Sequence, residues 1–198
     1  TPREMEYQFK DAEISALLIV ANFAHHLPAI VDKISAKHII VTNMGDLLGP
    51  VKGRIVDFVV KNVKKMVPDY HLPKAISFKS VLKKGKTLTY SKPKVDIEDL
   101  AFLQYTGGTT GVSKGAQLSH RNIIAHNQMI TYWFKPYMKE DHEDIMITAI
   151  PMYHIFALTV NGILMYSTGV KNVLITNPRD IPAFIKELRK YKFTILTG

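Results

Sequence analysis

Short apolar runs, separated by stretches with helical spacing, recur from one end of the chain to the other. Ile14 to Val20 is an apolar run and His38 to Thr42 a β-branched one, so both read as buried strands. Between them Leu27, Ile30, Val31 and Ile34 fall at helical spacing, which predicts a helix over 25–34. Gly45, Gly49, Pro50 and Gly53 then mark a loop, and a basic amphipathic helix follows from Arg54 to Met66, stopping before Pro68. Residues 67–95, rich in proline and lysine, predict an irregular excursion with one short helix over 77–83. From Asp99 the alternation returns. Strands are predicted over 100–105, 145–150, 172–176 and 193–197, with helices over 119–133, within 154–167 and over 182–191. Repeated strand–helix alternation with apolar strands implies an α/β fold, a largely parallel sheet flanked by helices on both faces. Ligands of such sheets bind beyond the carboxyl ends of the strands.

With 198 residues, 46% of them hydrophobic and 22% charged, the composition is that of an ordinary globular chain, and the length points to one sizeable core. No cysteine is present, which excludes a disulfide framework and a thiolate zinc site and fits a reducing compartment, the cytoplasm being the simplest. The chain opens on Thr1-Pro2-Arg3-Glu4 and stops just after an apolar run ending at Thr197, so it reads as a fragment. No secretory signal opens it. Its most apolar stretches, 14–24 and 147–169, are too short or are interrupted by Pro151, His154 and Asn161, so no membrane-spanning helix is expected. The net charge of +9 is uneven: Lys and Arg number 12 against 2 acidic residues over 51–94, but 4 against 6 over 1–50 and 10 against 9 over 95–198. The middle segment could therefore be a solvated lysine face, or could meet nucleic acid, an anionic membrane or an acidic substrate. Its few aromatics, Phe58, Tyr70, Phe78 and Tyr90, make a poor base-stacking platform.

The chemistry is concentrated in Tyr105-Thr106-Gly107-Gly108-Thr109-Thr110-Gly111-Val112-Ser113-Lys114-Gly115-Ala116, directly after a predicted strand. Glycines admit close backbone approach to an anion, threonines add hydroxyl donors, and Lys114 adds positive charge. This is a phosphate-binding composition. It is not the GxxxxGK[ST] loop, because none of Gly107, Gly108 and Gly111 is followed at the fifth position by glycine and then lysine, and it does not fit GxGxxG.

Those twelve residues resemble the signature phosphate loop of the adenylate-forming superfamily, which includes acyl-CoA synthetases, luciferases and peptide-synthetase adenylation domains. The flanks Glu98 to Gln104 and Gln117 to Asn122 are similar to those of bacterial long-chain fatty-acid–CoA ligases. Ile150-Pro151-Met152-Tyr153-His154-Ile155-Phe156-Ala157-Leu158 resembles the family's second motif, which borders the carboxylate and acyl pocket. The resemblance covers essentially the whole chain and implies that residues 1–198 are part of the large N-terminal domain, with the later N-terminal motifs and the C-terminal domain outside it. It implies ATP, Mg²⁺ and coenzyme A as partners of a fatty acid. The acid attacks the α-phosphate of ATP to give acyl-adenylate and pyrophosphate, and coenzyme A then displaces AMP.

On that basis residues 105–116 bind the nucleotide phosphates, with Thr106, Thr109 and Thr110 as phosphate contacts and Lys114 as a catalytic cation. Thr106 is the magnesium neighbour, and His154 shapes and orients the pocket. As an isolated residue His154 reads equally as a packed core histidine. Some long-chain members place a tryptophan gate where Leu158 stands here, which leaves gating open. Trp133, Phe134 and Tyr137 read as core packing, and Glu140 to Asp144 as a solvated acidic turn rather than a metal site. His120 and His126 lack zinc spacing. Two alternatives stand beside the long-chain reading: a ligase for an aryl or medium-chain acid, and a non-catalytic domain that binds anions or nucleic acid through the basic segment.

Overall fold

The computed structural model describes residues 1–107, 113–138 and 143–197. Length points to one core, but the chain divides into two compact units, Thr1–Lys94 with Gly107–Gly115, and Val95–Thr106 with Ala116–Gly198.

The first unit begins with α1 (Pro2–Asp11), which the apolar pattern alone does not announce. Its signal is local. Thr1 and Glu4 form a capping box and Pro2 occupies the first turn. Strands β1 (Ala16–Val20), β2 (His38–Thr42) and β3 (Ile76–Ser77) pair in parallel in that order, with Leu17 opposite Ile39 and Ile40 opposite Ile76. Leu17, Ile19, Ile39 and Val41 alternate into the core and meet Ala24, Leu27 and Ile30. Ala24 and Leu27 lie in a 3₁₀ turn, Ala21–Ala29, and Ile30 links it to a second, Val31–Lys33, where an α-helix was predicted. Pro28 lies inside the first turn and lacks the N–H that a regular helix would use there.

The basic helix starts earlier than its apolar period suggests. α2 (Pro50–Phe58) continues as a π-turn (Val59–Val63). Gly49 takes φ 81° just before it, and Pro50, with its fixed φ, suits the first helical position. α3 (Phe78–Gly85) is capped by the Ser77 hydroxyl, which accepts from the Ser80 N–H at 3.3 Å.

Asp46 ties this helix to the end of β2. It accepts from the Asn43 N–H at 2.9 Å and the Thr42 hydroxyl at 3.1 Å, and pairs with Lys79 at 3.2 Å. Burial pushes its carboxyl up, but the Asn43 N–H, Lys79 and Thr42 outweigh this and hold it below the ordinary aspartate value. A lowered native pKa contributes stability that is complete above about pH 4 and is lost as pH falls through the native value. Asp46→Asn is therefore expected to cost about 1–2 kcal/mol near neutrality and less as the medium is acidified. Urea unfolding followed at several pH values checks this. A cost independent of pH would rule out the charged pair as its source.

β4 (Leu100–Thr106) and β5 (Lys114–Ser119), which belongs to the second unit from Ala116 on, form a two-stranded sheet. The sequence pattern assigns β5 to the loop, because Lys114-Gly115-Ala116-Gln117 has no apolar alternation. α4 (His120–Phe134) follows, with a capping box between Ser119 and Asn122. β6 (Ile145–Thr148) is the centre of a parallel three-stranded sheet, flanked by β7 (Lys171–Leu174) and β8 (Ile195–Thr197). A π-helix (Ala157–Leu164) continued by α5 (Met165–Ser167) connects β6 to β7, and α6 (Ile181–Leu188) connects β7 to β8. The second core gathers Met146, Val160, Leu164, Met165 and Val170, with Phe134 packed against it. Of the three aromatics read as core, only Phe134 is. Trp133 and Tyr137 are 78% and 84% exposed, because a helix and its C-terminal turn present only one stripe inward. Asp144, read as part of a solvated turn, is buried and accepts from the Thr194 hydroxyl at 2.5 Å, while Glu140, Asp141 and His142 lie outside the described residues.

Candidate active site

Within the second unit, the strand that precedes the first motif meets the second motif. Gln104 of β4 donates from Nε2 to the carbonyl of Tyr153 at 3.1 Å. The strand that leads into Tyr105 and Thr106 thus holds the peptide next to His154. Thr106 and Gly107 are exposed at the end of β4, and Tyr105 is half-buried. Ser113 is half-buried and lies 3.4 Å from the Gln8 Nε2, while Lys114 at the start of β5 is exposed. Gly115 is half-buried and Ala116 exposed. Gly108, Thr109, Thr110, Gly111 and Val112, the middle of the loop, lie outside the described residues. Tyr105, Thr106 and Ala116 belong to the second unit and Gly107, Ser113, Lys114 and Gly115 to the first.

His154 is not a packed core histidine. It is exposed at the head of the helix between β6 and β7, where a turn closes with its N–H on the Pro151 carbonyl at 3.0 Å. Its Nδ1 accepts from the Phe156 N–H at 3.3 Å and its carbonyl accepts from the Leu158 N–H at 2.9 Å. It therefore caps the helix. Accepting at Nδ1 puts the neutral ring's proton on Nε2, leaving a donor for whatever lies in front of it. There His154, Pro151 and Phe156 line a cleft of about 480 Å³ with Leu196 and Thr197, at the carboxyl ends of β6 and β8. Strand order changes sides at β6, the position where open parallel sheets place ligands. Phe156 also borders a second, largely apolar groove of about 530 Å³, lined by Leu118, Ile123, His126, Ile155 and Thr159.

Behind the cleft lies a polar cluster that sequence reasoning missed. Asn161, fully buried, donates from Nδ2 to the Thr148 hydroxyl at 2.7 Å and to the Thr197 hydroxyl at 2.6 Å. Thr148 donates in turn to Asn172 Oδ1 at 2.6 Å, and Asn172 Nδ2 donates to the Asn161 carbonyl at 2.6 Å. One side chain thus ties the π-helix to β6 and β8, and its carbonyl ties the same helix to β7. An asparagine inside the largely apolar run 155–165 was the available signal. Short π-helical stretches are frequent at functional sites.

No cluster of three His, Cys, Asp or Glu side chains able to hold a metal occurs among the described residues. Thr106 offers a single hydroxyl, which by itself does not make a magnesium site.

A strand that leads into a glycine- and threonine-rich segment is thus hydrogen-bonded to the turn that carries a helix-capping histidine, at the carboxyl edge of a parallel sheet. The chain belongs to the AMP-binding enzyme family, whose profile it matches over residues 1–198. Within it, the chain is closely related to bacterial long-chain-fatty-acid–CoA ligases. It is 54% identical over 198 residues to the long-chain-fatty-acid–CoA ligase of Salmonella typhimurium, a match covering 100% of this chain and 35% of that protein. It is 33% identical over 206 residues to the Bacillus subtilis enzyme of the same name, again covering 100% of this chain and 35% of that protein. The chain thus spans about a third of the length of these relatives. Among solved structures, ATP-bound MatB from Rhodopseudomonas palustris superposes with TM-score 0.65 at 21% identity, covering 100% of this chain and 32% of that one. A long-chain-fatty-acid-CoA ligase from Archaeoglobus fulgidus gives 0.62 at 20% identity, covering 94% and 30%. The α/β architecture expected from the sequence is that of the N-terminal part of this ligase fold.

Proposed function

We propose that the parent protein activates a long-chain fatty acid with ATP, forming acyl-adenylate and then acyl-CoA, and that this chain supplies the phosphate loop and part of the acyl pocket. The observation that carries the reading is the Gln104–Tyr153 hydrogen bond, which couples the strand entering the phosphate loop to the His154 cleft. In this reading residues 105–116, including Thr109 and Thr110, hold the phosphates of ATP, and Lys114 stabilises charge gathering on departing pyrophosphate. His154 orients the carboxylate through Nε2–H. The acyl chain takes the apolar groove past Phe156, whose volume is in the range of pockets for drug-sized ligands. Thr106 is the proposed neighbour of Mg²⁺, which needs further oxygen ligands beside that hydroxyl, and coenzyme A is the acyl acceptor.

The setting we propose is cytoplasmic, with peripheral contact to an anionic membrane where fatty acids partition, and without nucleic acid as a partner. Among the described residues no helix is long and apolar enough to cross a membrane. The test is palmitate-dependent exchange of pyrophosphate into ATP by the parent protein. Robust exchange is expected from the parent and little or none from residues 1–198 alone. An aryl or medium-chain acid outperforming palmitate would favour the narrower alternative, and no exchange with any carboxylic acid would defeat the ligase reading.

A further inference from the structure

A surface helix ordinarily turns its apolar stripe inward and its polar residues to water. The helix formed by α2 and its π-turn half-buries Val56, Val59 and Val60 but leaves a further apolar stripe outside. Its inward side is carried by Gly53, packed so closely on Gly45 that a Cβ there would sit 2.3 Å from the Gly45 carbonyl oxygen. Asp57 fastens the same side, accepting from the Gly45 N–H at 2.8 Å. Val51, Ile55 and Phe58, at i, i+4 and i+7, form one stripe on the opposite side and are 72%, 59% and 61% exposed. Leu47, just before the helix, is exposed as well.

Cations line both edges of this stripe. At 3.6 residues per turn, Lys52 falls on one side of it and Arg54 on the other, Lys61 follows in the π-turn, and all three are exposed. The one acidic residue of the helix, Asp57, faces inward. An outward apolar stripe edged by cations, on a helix pinned to the body by backbone contact, has the layout of an interfacial helix.

We propose that this face docks on an anionic lipid surface, with Val51, Ile55 and Phe58 entering the headgroup–acyl boundary and Lys52, Arg54 and Lys61 meeting lipid phosphates. The assignment rests on the membrane contact proposed above and locates it. A nucleic acid would use the cations but gains little from an apolar stripe with a single aromatic beside them, and a lipid surface uses both.

The parent protein, sedimented with phosphatidylcholine vesicles with and without phosphatidylglycerol, tests the assignment. Wild type is expected to bind the anionic vesicles and to release with added salt. The variant Val51→Ser/Ile55→Ser/Phe58→Ser should bind at least about tenfold more weakly while keeping its pyrophosphate exchange with a water-soluble acid. In wild type, hydrogen exchange over residues 50–63 should slow only with anionic vesicles. Undiminished binding by the triple variant would move the contact to another surface, overturning the assignment and sparing the membrane reading, whereas no vesicle binding by wild type would defeat both. Loss of folding in the triple variant, or slow exchange over 50–63 without vesicles, would show the face covered inside the parent protein. Salt-sensitive retention on DNA, without vesicle binding, would give the face to nucleic acid instead. Each of these last outcomes also overturns the proposal.

Discussion

Lys114→Ala in the parent protein is expected to lower palmitate-dependent pyrophosphate exchange by about 10²–10³-fold, the usual cost of losing one preorganised charge-stabilising donor. The side chain is exposed at the start of β5, so the native fold does not depend on it and thermal unfolding should be unchanged. Under the proposed role Lys114 follows charge that develops only as pyrophosphate leaves. The loss should therefore fall mainly on kcat, with a smaller effect on the KM for ATP. Lys114→Arg keeps the charge but changes the shape of the donor, and should recover only part of the rate. Exchange at wild-type level in Lys114→Ala would remove this residue from the chemistry.

Asn161→Leu should have the largest effect on stability, about 2–4 kcal/mol, because it deletes two short hydrogen bonds and leaves the buried Thr148 hydroxyl and the half-buried Thr197 hydroxyl short of a partner. Adding Thr197→Val removes one of those stranded groups. The double variant should therefore be less destabilised than the sum of the single changes, with a coupling of about 0.5–3 kcal/mol. Chemical denaturation of the four proteins measures it. Since Thr197 also lines the His154 cleft, Asn161→Leu is expected to raise the KM for the acid as well. Strict additivity would mean that the two side chains do not act together.

Where burial follows a regular period, the sequence predicted the fold well. β2 is found at the predicted residues, α4 is displaced by one, and the parallel pairing follows from strand–helix alternation. Misses occur where local chemistry outweighs period. α1 is announced by its cap rather than by an apolar stripe, 3₁₀ turns replace a helix around Pro28, and β5 carries lysine, glycine and glutamine because its role is to leave the loop rather than to fill a core. The candidate site was legible as two motifs, since glycine, threonine and lysine in that order are a composition suited to an anion. What joins them was not. Gln104 was visible only as a flank, and Asn161 only as a polar break in an apolar run, since neither a hydrogen bond to a distant carbonyl nor a link between three strands leaves a periodic trace. The two cores were equally hidden, because length bounds how much surface a chain can bury and not how it is divided.

The capping role of His154 limits what the ring can do for a substrate. One nitrogen is occupied by the backbone of its own helix, and the other carries a hydrogen. In the proposed pocket such a ring rewards negative charge and has no lone pair with which to strip a proton. The selection would fall on acids that arrive already ionised. An alcohol or amide of the same chain length could fill the groove just as well, yet it would gain no base from this ring.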